Sequence, residues 1–127
     1  MSQTIELSAR VRLKDLDASL DNLFLLIPQQ LLTRTTAILQ SGVQACTTTE
    51  AALALGNVTT TGLAIFKNLD ASNDIEVGFT VGGSFYGAHE IPAGCWCIAW
   101  LDPDRTWQAK ADTSTSNLQY TIFQRNA

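Results

Sequence analysis

The sequence predicts an all-β fold: a β-sandwich or jelly-roll-like antiparallel domain with an N-terminal strand arm. Three observations carry that expectation. Apolar and polar residues alternate over short runs, as with Leu118, Tyr120 and Ile122 against Gln119, Thr121 and Phe123. This is the period of a strand. Gly, Pro, Asn and Asp clusters recur about every ten residues, a spacing typical of sandwiches. Nothing reads as a strand–helix–strand alternation, and at most short helical turns are expected. The expected division is a strand arm over 1–14, able to pair with a neighbouring subunit, and one sandwich domain over 15–127.

The arm comes first. Ile5, Leu7, Ala9, Val11 and Leu13 alternate with Glu6, Ser8, Arg10, Arg12 and Lys14. One face is apolar and the other polar. The following run, "DLDASLDNLFLLIPQQLL", supports two readings. A short helix could start near Asp17, with Leu20, Leu23, Phe24 and Ile27 at helical spacing and Pro28 ending it. An irregular apolar loop packed on a sheet fits equally well.

From Thr33 the β signal strengthens. "TRTTAIL" is rich in β-branched residues. "GVQACTTT" follows. "TTTEAALALG" has capping-box spacing from Thr47 to Glu50 and allows one or two helical turns. "GLAIFKNL" is an apolar strand, and "DASND" is a turn built on Asx side chains. "IEVGFTV" places Ile75, Val77, Phe79 and Val81 on one face, and Gly82-Gly83 is a hairpin turn into "SFYGAHE". Ile91-Pro92-Ala93-Gly94 suits a type I turn with Pro second and Gly fourth. "CWCIAWL", a turn at Asp102-Pro103-Asp104, "TWQAKA", the polar "DTSTSN" and "LQYTIFQ" complete the series.

Composition narrows the function classes. The chain has 127 residues, a net charge of −4, 46% hydrophobic and 16% charged residues. One domain with a core of its own is expected. The eight basic residues are scattered, against the clustered Lys and Arg of a nucleic-acid grip. The longest apolar burst is "LFLLI" at 23–27, well short of the ~20 residues of a membrane span. "MSQTIELSARVRL" has no apolar core behind a basic start, so no secretory signal is expected, and a soluble protein in a reducing cytosol is. Asn57-Val58-Thr59 then reads as a chance sequon.

Chemistry-bearing residues are few. Cys95 and Cys97 lie one residue apart, on one face of a strand, where their side chains run parallel and do not converge to a disulfide. With Cys46 and the sole histidine, His89, they make the only Cys3His set, but at spacings unlike paired zinc cysteines. Small buried hydrophobes is the expected role. Asp15-Leu16-Asp17-Ala18-Ser19 has the spacing of an aspartyl-phosphate nucleophile motif and of the start of a calcium loop. The phosphatase fold is α/β. The calcium loop needs Gly and Glu where Leu20 and Leu26 stand. No Gly-x-Ser-x-Gly elbow, His-Glu-x-x-His or phosphate loop occurs. No enzyme, no metal and no cofactor are expected. Trp96 and Trp100 share a strand face with Ile98; with Trp107 they serve as core, as subunit interface or as a platform for sugar rings.

The series "LGNVTTTGLAIFKNLDASNDIEVG", "FYGAHEIPAGCWCIAWL" and "WQAKADTSTSNLQYTIFQ" resembles small virion structural proteins of tailed bacteriophages. The likeness covers about residues 55–124. It consists of a strand ending Asn-Leu-Asp, a polar turn, Ile-x-Val-Gly, an Ala-Gly turn into an apolar strand, an "AKA" strand and a final Leu-x-Tyr-x-Ile. Cys95 stands where the pattern usually carries an acidic residue. The resemblance implies a non-enzymatic decoration, minor structural or tail-associated component. The expected function is therefore a capsid cement protein on the head surface, assembled in the host cytoplasm. Its expected partners are itself, as a homotrimer, and the major capsid protein. A tail, neck or baseplate role and a host-glycan-binding module are the alternatives. The expected interface residues are Ile5, Leu7 and Val11 of the first strand, Phe24, Leu25 and Leu26 of the apolar burst, and Trp96, Trp100 and Trp107.

Overall fold

The computed structural model describes residues 3–13, 22–34 and 38–125. The described segments contain strands and turns and no helix. The chain divides into two compact units, Met1–Ala37 and Ile38–Ala127.

The first unit is an antiparallel ribbon of β1 (Gln3–Leu13) and β2 (Asn22–Arg34). The expected strand arm is paired, and its partner strand is β2 of the same chain. The helix or loop considered for 15–32 is a strand where it is described. Pro28 does not end it, and the register shows why. Leu7 pairs with Gln30 and Ala9 with Ile27, so Pro28 and Gln29 together stand opposite Ser8. A bulge accommodates a residue that lacks an N–H. Residues 15–19, with the phosphatase-like and calcium-like spacing, lie outside the described residues.

The second unit is the sandwich. Its strands are β3 (Leu39–Cys46), β4 (Ala51–Ala52), β5 (Thr61–Asn68), β6 (Ile75–Val81), β7 (Ser84–Ile91), β8 (Trp96–Trp100), β9 (Gln108–Ala111) and β10 (Ser116–Gln124). They form two four-stranded antiparallel sheets, ordered β3-β10-β5-β8 and β4-β9-β6-β7, which pack against each other. The pairs β3:β10, β4:β9, β5:β8 and β6:β7 nest around the central hairpin. A long hairpin wound up in this way is a jelly roll.

The turns follow from local chemistry. Gly82 and Gly83 both have positive φ, 60° and 82°, as the two-residue turn between β6 and β7 requires. Asp70 Oδ1 accepts the N–H groups of Ser72 and Asn73 at 2.8 Å, closing the expected Asx turn. The turn before β8 lies one residue later than expected. Cys95 N–H donates to Pro92 C=O at 3.0 Å, so Ala93 and Gly94 are its central residues. Gly94 has φ +73°, which fits the third position of a type II turn. The helical turn considered near 47–56 does not form; Ala51–Ala52 pairs with β9 instead.

The core lies between the sheets. Phe66, Ile75, Val77, Leu118 and Ile122 are buried there, and Tyr120 sends its hydroxyl to Ala54 C=O at 2.8 Å. Asn68, fully buried, donates from Nδ2 to Asn73 C=O at 2.7 Å and Ile91 C=O at 2.9 Å. Its Oδ1 accepts from Asp70 N–H at 2.9 Å. The buried amide is thereby paired throughout.

Candidate interaction surface

The outer face of the β3-β10-β5-β8 sheet is the most distinctive surface of the sandwich. Register assigns its members. Trp96, Ile98 and Trp100 stand opposite Lys67, Ile65 and Leu63. Gln119 and Thr121 of β10 continue the rows, and Val43 of β3 lies beyond Gln119. Successive side chains of a strand alternate between faces, so the burial of Phe66, Leu118 and Ile122 on one face turns this set to the other, where Leu63 is nevertheless covered.

The result is apolar. Trp96, Ile98 and Trp100 are 61%, 56% and 55% exposed, and Val43 is 58% exposed. None of the four strands contains Asp or Glu, and Lys67 is their only charged residue. The facing sheet carries Glu76, Glu90 and Lys110 instead. Exposed apolar patches of this kind mark interaction sites more often than isolated surface hydrophobes do.

Two cations lie over the tryptophans. Lys67 Nζ sits 4.9 Å from the Trp96 ring centroid, and Arg125 Cζ sits 5.5 Å from that of Trp100. Arg125 is held by its own bonds, from Nε to Thr61 C=O at 3.1 Å and from an Nη to Leu101 C=O at 2.9 Å. A guanidinium fixed in this way presents its ring partner in one orientation.

Trp107 is different. It is 5% exposed and belongs to the core. Its indole N–H donates to Asp102 C=O at 2.9 Å, and its ring meets Phe79 edge-on with centroids 5.5 Å apart. The turn at Asp102-Pro103-Asp104 aims it inward, and Asp104 N–H closes that turn on Asp102 Oδ1 at 2.9 Å. The expected role of Trp107 as an interface residue therefore does not follow from its place in this chain. The expected interface positions Ile5, Leu7, Val11, Phe24, Leu25 and Leu26 all lie on the β1–β2 ribbon. The surroundings of their side chains are outside the described residues.

The thiols and the histidine do not converge. Cys46, Cys95 and Cys97 are all free. Cys46 is buried in the core, and burial pushes its thiol up to about 11; burial raises Cys97 as well. Cys95 is exposed. His89 stands opposite Val77 and stacks on Trp107, with centroids 6.1 Å apart. Among the described residues, no group of three or more His, Cys, Asp and Glu side chains could hold a metal ion.

Sequence reading singled out Trp96 and Trp100 and placed Ile98 between them. It missed Val43, whose strand becomes an edge of this sheet only through pairing with β10. It also missed Arg125, which reaches Trp100 from the far end of the chain. No family model, no curated protein and no solved structure matches the chain.

Proposed function

We propose that the protein is a non-enzymatic virion structural component, a cement protein that binds the head lattice as an oligomer and stabilises it. The observation that carries this reading is the apolar outer face of the β3-β10-β5-β8 sheet, on a jelly roll. Jelly rolls recur in viral shells, and an uncharged, half-exposed row of two tryptophans and an isoleucine suits contact with another protein. The resemblance of residues 55–124 to phage structural proteins points the same way. In this reading the mechanism is binding energy: each copy bridges neighbouring shell subunits and opposes the pressure of packaged DNA.

Localisation in the intact particle tests the proposal. A cryo-electron microscopy reconstruction should contain the jelly roll on the outer head surface. Density at the tail, neck or baseplate would move it to the runner-up role, and absence from the particle would remove it from the virion.

The exposure of Trp96 and Trp100 favours a second reading, a glycan-binding module, since lectin domains share this architecture and sugars stack on aromatic rings. Saturable quenching of tryptophan fluorescence by host-surface glycans would support it. An unchanged spectrum would remove it.

A further inference from the structure

β8 is the last strand of its sheet, and among the described residues its outer edge lacks the usual protections. Asn68 N–H donates to Cys95 C=O at 3.0 Å, and Leu101 N–H donates to Gly62 C=O at 2.9 Å. Residues that exchange backbone bonds alternate along an antiparallel pair. With Cys97 opposite Phe66 and Ala99 opposite Ala64, the backbones of Cys97 and Ala99 turn toward β5. The N–H and C=O groups of Trp96, Ile98 and Trp100 therefore point off the edge of the sheet. Natural edges are blunted by charges, prolines, bulges or covering segments. The strand "WCIAW" has no charge, no proline and no glycine, and its register with β5 runs without a shift.

We propose that this edge pairs with the same edge of a second copy, β8 antiparallel to β8, about a two-fold axis through Ile98. The strand is nearly the same read in either direction. Trp96 falls opposite the partner's Trp100, Ile98 opposite the partner's Ile98, and Cys97 opposite the partner's Ala99. A two-fold contact needs such self-complementarity. The three outward-facing pairs each exchange two backbone hydrogen bonds, so every free group on the edge finds an acceptor or donor. On the outer face tryptophan lies beside tryptophan and isoleucine beside isoleucine. Lys67 lies over Trp96 and Arg125 over Trp100, so each tryptophan pair carries two cations on its outer face, and association should strengthen as salt screens them. Two tryptophans and an isoleucine bring roughly 300–400 Å² of exposed side chain per copy to the contact, which is small for a permanent complex. The dimer is accordingly a reversible one, forming at micromolar concentrations. The pairing is a property of the sandwich and does not depend on the virion assignment.

Sedimentation velocity of the full chain from about 1 to 200 µM tests it. A monomer–dimer equilibrium is expected. Ile98→Pro deletes an N–H that points outward, a change an edge strand tolerates. It should weaken association at least about tenfold with an unchanged far-UV circular dichroism spectrum. Cross-linking gives a second, independent readout. In a Cys95→Ser background, Ala99→Cys places a thiol opposite the partner's Cys97, in a non-hydrogen-bonded pair with Cα atoms about 4.5 Å apart. Within one chain, positions 97 and 99 run parallel and do not bridge. Mild oxidation should yield a covalent dimer that Cys97→Ser abolishes. A monomer throughout the range, a trimer, or a dimer that resists this cross-link would overturn the proposal.

Discussion

Asn68 joins the two sheets of the sandwich: its Nδ2 donates to Ile91 C=O at 2.9 Å, from β5 in one sheet to β7 in the other. The side chain is fully buried, and its remaining bonds hold Asn73 C=O and Asp70 N–H. One amide therefore fixes the end of β5, the Asx turn and the end of β7 together. Asn68→Leu would leave Ile91 C=O unpaired away from water and strip the half-buried Asn73 C=O and Asp70 N–H of their partner. The expected loss is about 2–4 kcal/mol of unfolding free energy, read from urea denaturation. A loss below about 1 kcal/mol would mean that the inter-sheet bond contributes little.

The three tryptophans separate into two classes. Trp107→Ala removes a buried ring with a satisfied N–H and should cost about 3–5 kcal/mol. Trp100→Ala removes an exposed ring under Arg125 and should cost less than about 1 kcal/mol. Single-tryptophan variants provide a second check. Acrylamide should quench Trp96 and Trp100 readily and Trp107 hardly at all.

Gly78 is required by a close backbone approach. At the irregularity between β6 and β7, a Cβ on Gly78 would strike Tyr86 C=O and come within 3.0 Å of Gly87 Cα. These are backbone atoms and cannot swing aside. Gly78→Ala should destabilise by about 1–3 kcal/mol. Gly42→Ala is the control: its nearest neighbour would be Tyr120 Oη at 3.7 Å, an ordinary contact. Its effect should stay within about 0.5 kcal/mol. Equal costs at the two positions would contradict the assignment.

The alternating strands 75–81 and 118–123 and the Gly82-Gly83 turn were legible in the sequence, because period and turn chemistry are local. The β1–β2 ribbon was only half legible. Pro28 carries the same signal whether it ends a helix or sits in a bulge, and only pairing with β1 decides. The two-residue β4 was hidden because its identity lies in backbone bonds to β9. The turn at Pro92–Cys95 slipped by one residue, since Gly94 suits both the third position of one turn type and the fourth of another. The candidate surface was visible as tryptophans on one strand face. Which tryptophans face out depends on where the sheets meet, and Trp107 turned inward because its indole N–H reaches the Asp102 carbonyl.

Thiol chemistry should report the same burial. A thiol reagent should modify Cys95 first, Cys97 more slowly and Cys46 only on unfolding. The Cys46 thiol rises from 9.0 to about 11 on burial. A folded-state value above the unfolded one means that the native state holds the proton more tightly. Its stabilising contribution is full below pH 9.0 and is lost as pH rises through about 11. Cys46→Ala should flatten the decline of stability over that window. An unchanged slope would show that Cys46 is not the group responsible.

The cement role is tested most directly by adding the purified chain back to DNA-filled heads that lack it and measuring the temperature of DNA release. Saturable binding and a higher release temperature are expected, with both weakened by replacing Trp96 and Trp100 with serine. Heads that bind none of the chain, or bind it and release DNA at an unchanged temperature, would contradict it.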